Sequence, residues 1–308
     1  MEILKHLNES GDILDSKSAQ AFNQYNLSLQ DDEIKRQVEQ LLEAHLEEEN
    51  NRENKIFCLN SVELTSLKTT DSEDSVLKLI ERVNAFDDEY AELGHVATVC
   101  VYPCFAKLCH DTLENDDIEI ACVSGGFPSS QTFQEVKIAE TALAIKDGAT
   151  EIDTVMPVGK FLSGDYEGVA DDIEELKSVC GDKVLKVILE TGCLKTASDI
   201  KKASILCMYA GANYIKTSTG KLLPAATPEA AYVMCQAIKE YYDKTGIQVG
   251  FKAAGGLKAT KDVLTYYTIV KHVLGEKWLT NKWFRIGTSS CANLLLSEIT
   301  GKDTSFFG

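Results

Sequence analysis

The chain has 308 residues, 44% of them apolar, with 48 acidic side chains against 31 basic ones and a net charge of −17. That is enough apolar material for one large domain or two ordinary ones, with too few glycines and prolines for a low-complexity protein. No run of about 18 apolar residues is available to span a membrane, and the acidity argues against nucleic-acid phosphates as a partner, though aimed backbone amides and one lysine can still hold a small phosphorylated substrate.

The N-terminus, Met1 to Lys5, lacks the apolar stretch of a secretory signal. Ten cysteines are scattered without a CxxC pair. Cys58, Cys122, Cys207 and Cys235 sit in apolar runs and read as reduced core residues, which points to the cytoplasm. The densest group, Cys100, Cys104, Cys109 and His110, fits no common zinc spacing, so no metal is expected.

Residues 1–54 hold 13 acidic and 5 basic side chains. Within them Ile34, Val38, Leu41, Leu42 and Leu46 recur at helical spacing, and Asp31, Asp32 and Glu33 stand where a helix dipole favours acids. This predicts an acidic helical extension packed outside a main domain at 55–308, with a shorter helix before the amphipathic one.

From residue 55 short apolar runs alternate with helical patterns. The runs are Ile56–Leu64, Val96–Tyr102, Ile118–Ser124, Glu151–Met156, Val184–Leu189, Tyr214–Ser218, Val249–Ala253 and Phe284–Gly287. Helical patterns between and after them include 72–85, 131–147, 166–179, 197–209, 228–242, 261–274 and 291–299. Such alternation indicates a parallel sheet. Eight units in about 250 residues match an α/β fold of the (β/α)8 TIM-barrel type. A doubly wound sheet is disfavoured because no GxGxxG follows the first strand.

Four strands carry a charge where packing alone would prefer Val or Ile: Asp153, Lys186, Lys216 and Lys252. Any one lysine could point outward and snorkel between helices. Four charges on four strands of one barrel instead suggest a shared interior, where buried ions need partners. A free lysine titrates near 10.4 and is protonated at pH 7. A second ammonium about 4 Å away costs the charged form roughly 4 kcal/mol at an effective dielectric of 20. Lys216 beside Lys252 is therefore expected to be substantially neutral and nucleophilic, able to form a Schiff base. Asp153 is placed to move protons through water.

Three glycine- and serine-rich turns follow strands six to eight: Thr219-Gly220-Lys221, Gly255-Gly256 and Gly287 to Ser290. The last opens a helix. Barrels often hold a phosphate after strands seven and eight, where close amides and a helix N-terminus favour an anion.

The segments "ELTSL", "VCVYP", "AETALAIKDGATEIDTVMP", "LKVILETGCLK", "AGANYIKTSTGK", "GFKAAGG" and "FRIGTSS" resemble the class I, Schiff-base deoxyribose-phosphate aldolases over about residues 56–300. The resemblance implies a lyase that reversibly cleaves 2-deoxy-D-ribose 5-phosphate to glyceraldehyde 3-phosphate and acetaldehyde, a step of deoxyribonucleotide catabolism needing no cofactor. It implies Lys216 as the Schiff-base residue, with Lys252 and Asp153 in the proton relay. It implies substrate contacts at Glu63, Thr65, Cys100, Lys186 and Thr219, Lys186 being a buried member of the charge network rather than the nucleophile. It implies a phosphate site at Gly220, Lys221, Gly255, Gly256, Gly287, Ser289 and Ser290. The expected partners are small phosphorylated sugars and aldehydes, with a homodimer as the candidate assembly. This chain departs from the family pattern in having Glu63 for the usual Asp, Ala253 for a common proline, and "SFFG" where some members end in a tyrosine. Two alternatives stay open: another Schiff-base sugar-phosphate lyase, and a catalytically silent barrel that binds sugar phosphates.

Overall fold

The structure, a computed structural model, describes residues 17–308. The expectation placed on Met1 to Lys5 lies outside these residues.

The described residues begin with three helices, α1 (Lys17–Phe22), α2 (Asp31–His45) and α3 (Arg52–Asn60). Then follow β1 (Val62–Thr65), α4 (Glu73–Glu89), β2 (Thr98–Val101), α5 (Ala106–Thr112), β3 (Glu119–Ser124), α6 (Gln134–Lys146) and β4 (Glu151–Val155). The second half runs α7 (Val158–Leu162), α8 (Tyr166–Cys180), β5 (Val184–Ile188), α9 (Ala197–Tyr209), β6 (Tyr214–Lys216) and α10 (Pro228–Thr245). It ends with β7 (Gly250–Ala254), α11 (Thr260–Leu274), β8 (Phe284–Thr288) and α12 (Cys291–Thr300). The eight strands form one closed barrel in sequence order, every neighbour parallel, with β1 pairing β8. The TIM-barrel expectation therefore holds.

One predicted strand is corrected. The run Ile56–Leu64 is two elements, because Asn51 caps a helix by accepting the Asn54 N–H at 2.9 Å. Once helical, the apolar residues 56–59 cover the barrel instead of entering it, and Phe57 lies against Tyr267 and Phe284. Only Val62–Thr65 joins the sheet. Residue 54, the expected end of the extension, lies inside α3.

Alternation along each strand divides the side chains between two environments. Val99, Val101, Ile120, Ile152, Leu185, Val187, Ile215, Phe251, Phe284 and Ile286 face the helices and make up the main apolar core. The opposite faces point into the barrel and carry most of its charges. Within the extension, Ile34 and Val38 are buried and Leu41, Leu42 and Leu46 pack against the core. α2 rests on α10 and α11, and its Asp31 accepts the Ala197 N–H at the start of α9 at 2.8 Å.

Candidate active site

Strand pairing brings the predicted charges together. Lys216 pairs with Lys252 across β6 and β7, and Asp153 pairs with Lys186 across β4 and β5. Partners in register point the same way, so all four enter the barrel. Asp153 lies at the centre. Its Oδ2 accepts from Lys216 Nζ and from Lys252 Nζ, each at 2.7 Å, and its Oδ1 accepts from Lys186 Nζ at 3.0 Å. Glu63 pairs with Lys252 and lies 3.3 Å from Lys186.

Two members of this network were not singled out in the sequence. Glu151, two residues before Asp153 on the same face of β4, lies 2.5 Å from Lys186. Arg285 on β8 reaches Glu151 at 3.2 Å and also bonds Thr98. The signal was available, since both are charges inside strands at the same two-residue period. The interior therefore holds four cationic side chains, Lys186, Lys216, Lys252 and Arg285, against three carboxylates, Glu63, Glu151 and Asp153. A neutral Lys216 makes the set electrically balanced.

The individual shifts agree with that balance. Burial would raise the pKa of Asp153, but Lys186, Lys216 and Lys252 together hold it well below the ordinary carboxylate value. Glu63 is likewise held down, Lys186 and Lys252 outweighing its burial. Burial alone would depress Lys252 and Lys186. The carboxylates around each outweigh it and hold both ammonium groups up. Lys216 is the exception, and its pKa falls below the ordinary lysine value. The cause differs in part from the sequence expectation. Burial is the leading influence, Asp153 opposes it, and the Lys252 charge comes after both.

Above the network opens a cleft of about 280 Å³. Thr65, Lys216, Thr219, Gly220, Lys221, Gly255, Gly256, Gly287, Ser289 and Ser290 all line it. Lys216 is thus the one member of the charged set that reaches the cleft wall. Asp153 and Lys252 support it from below. Glu63, Lys186 and Cys100 are also completely buried and, like Asp153 and Lys252, are not part of the wall. Cys100 packs with Leu67, Ala121 and Val123, and burial pushes its thiol up.

The phosphate-end residues converge from three loops. Gly220 and Gly255 both take left-handed backbone conformations, and a Cβ on Gly255 would sit 2.9 Å from Gly220 Cα. Only glycine permits that approach. Thr288 Oγ1 accepts the N–H groups of Ser290 and Cys291 and so caps α12. Lys68, also unforeseen, adds a second lysine to the rim beside Lys221.

Glu190, just after β5, holds the first of these loops. It is buried and non-glycine, yet left-handed at φ 51°. Its carboxylate accepts from Thr219 N at 3.1 Å and from Thr219 Oγ1 at 2.6 Å, and Thr219 Oγ1 accepts the Lys221 N–H at 3.0 Å. Nothing in the isolated sequence "LETG" marks this role, because the partner lies 29 residues away.

A family model for the DeoC/LacD family aldolase matches residues 65–268. The chain is 42% identical over 232 residues to the "Putative deoxyribose-phosphate aldolase" of Caenorhabditis elegans, covering 74% of this chain and 76% of that one. It is 43% identical over 208 residues to human deoxyribose-phosphate aldolase, covering 66% of this chain. The match spans 63% of the length of that human relative. Among solved structures, the tetrameric deoxyribose phosphate aldolase of Aeropyrum pernix superposes with a TM-score of 0.62 at 23% identity, over 85% of this chain and 96% of that one, and shares the fold.

Proposed function

The chain belongs to the DeoC/LacD aldolase family, and from that premise we propose that it cleaves 2-deoxy-D-ribose 5-phosphate reversibly to glyceraldehyde 3-phosphate and acetaldehyde. The observation that carries the reading is the isolation of Lys216. It is the interior cation held below its ordinary pKa and the one that meets the cleft.

The neutral Lys216 amine attacks C1 of the open-chain aldehyde. Loss of water gives an imine, whose protonated form draws electrons from the neighbouring bond. The C3 hydroxyl gives up its proton, and the C2–C3 bond breaks. Glyceraldehyde 3-phosphate leaves, and C1 and C2 stay on Lys216 as an enamine. Protonation at C2 and hydrolysis then release acetaldehyde and restore the amine. Asp153, 2.7 Å from Lys216 Nζ, is the group positioned to carry protons between these steps. Lys252 shares the same carboxylate oxygen and keeps Asp153 ionised.

The phosphate would lie against Gly220, Gly255, Gly256, Gly287, Ser289 and Ser290, with Lys221 and Lys68 at the rim. Glycine amides and a helix N-terminus suit a dianion. A homodimer and a cytoplasmic location complete the reading. Ten free cysteines fit a reducing compartment.

Borohydride reduction in the presence of acetaldehyde, followed by peptide mass mapping, tests the proposal. An ethyl adduct on Lys216 and release of acetaldehyde from deoxyribose 5-phosphate are expected. An adduct elsewhere, or none, would overturn the nucleophile assignment. An adduct without cleavage of this sugar would favour another Schiff-base lyase.

A further inference from the structure

At the end of the barrel away from the cleft, α2 and α11 finish side by side. His45 closes α2, and His272 stands in the last turn of α11. Their rings stack with centroids 3.8 Å apart and planes 15° from parallel. Glu48, just beyond α2, places Oε1 2.8 Å from His45 Nδ1. Ligand-capable atoms of His45, Glu48 and His272 all lie within 4.8 Å of one another.

We propose that His45, Glu48 and His272 form a zinc site that fastens the N-terminal helices to the barrel. Two imidazoles and a carboxylate are a donor set suited to Zn²⁺, with a fourth tetrahedral position for water. The surroundings are built for it. Glu49, only 2% exposed, bonds Lys271 Nζ at 2.9 Å and Asn54 Nδ2 at 2.7 Å. Glu49 Oε1 also lies 3.2 Å from His272 Nε2. In the tautomer that donates Nε2–H to this carboxylate, His272 keeps Nδ1 for a metal. Ligating histidines commonly have such an outer partner. Two helix C-termini meet here, and their partial negative charge adds to that of Glu48.

Zinc–ligand distances of about 2.0–2.1 Å require donor atoms roughly 3.3 Å apart. His45 is half-buried, while Glu48 and His272 are exposed. Closing the set takes the two rings out of their stack, because imidazole lone pairs lie in the ring planes and both must turn an edge towards one ion. Bound metal would join α2 of the extension to α11 of the barrel, two segments far apart in sequence and adjacent only in the fold.

The test uses the full chain, treated with EDTA and then titrated calorimetrically with zinc sulfate. One zinc per chain is expected, with a higher thermal midpoint in zinc. H45Q and E48Q should each weaken binding roughly tenfold or more and abolish the thermal shift. Neither residue belongs to the cleft, so both variants should retain wild-type circular dichroism and unchanged aldolase turnover. Wild-type protein that takes up no zinc at about 100 µM free metal, a concentration far above a specific site's Kd, would overturn the proposal. So would equal affinity in wild type, H45Q and E48Q, which would place the zinc on cysteines or elsewhere. An equal response to magnesium, which prefers oxygen ligands, would also overturn it.

Discussion

Lys216 differs from its three cationic neighbours by position, not by residue type. Lys186, Lys252 and Arg285 each gain carboxylates enough to outweigh burial, whereas Lys216 has Asp153 alone and shares it. Its amine therefore loses its proton below the ordinary value of 10.5. The rate should rise with pH as that proton leaves and flatten before the usual lysine range. Lys252→Met removes one of the influences that lower Lys216, so the rising limb of kcat/KM should move to higher pH. It also removes a partner of Asp153, and turnover at pH 7 should fall by about 10²–10⁴-fold. A limb that stays in place would mean that burial alone sets the amine. The four lysine and aspartate positions were legible because a charge inside an apolar strand is costly and demands a reason. Glu151 and Arg285 follow the same logic and were overlooked beside them. Their partners lie across the barrel at separations the sequence does not display.

Strands and loops contribute differently to the cleft. The strands aim side chains, and their existence could be read from apolar runs. Their ends could not, since Ile56–Leu64 becomes a helix and a strand once Asn51 supplies a cap. The loops hold the phosphate end, and their geometry depends on contacts absent from any local pattern. Glu190 is the clearest case, fixing the loop after β6 from the end of β5. Glu190→Ala leaves the buried Thr219 N–H and hydroxyl without their acceptor, a loss of roughly 1–3 kcal/mol per group. KM for the phosphorylated sugar should rise at least tenfold, with a smaller effect on kcat. If kcat falls and KM does not change, Glu190 acts on the reacting centre instead. Gly287 makes the complementary point on β8. A Cβ there would meet Lys252 Cε at 3.0 Å and Ala254 Cβ at 2.9 Å. Gly287→Ala should lower kcat by displacing Lys252 while far-ultraviolet dichroism stays native.

Across the whole molecule the barrel is apolar towards its helices and ionic within, so stability and activity draw on one network. Asp153 and Glu63 have lowered pKa values. Their contribution is fully present above the ordinary carboxylate values of 3.8 and 4.5 and is lost as pH falls through the depressed ones. Lys186 and Lys252 have raised pKa values, so their contribution is full below 10.5 and is lost only as pH rises through the elevated ones. Lys216 runs the other way. A base with a lowered pKa costs stability below that pKa, and the cost disappears as pH climbs towards 10.5. Lys216→Met keeps the side-chain volume and leaves Asp153 paired with Lys186 and Lys252. The variant should therefore be inactive and at least as stable as wild type at pH 7, with Tm unchanged or raised by up to roughly 3 °C. The gap should close as pH approaches 10. Thermal scans at both pH values measure it. A Lys216→Met protein clearly less stable at pH 7 would mean that the amine is held as a structural cation, and the neutral nucleophile would have to be sought elsewhere in the barrel.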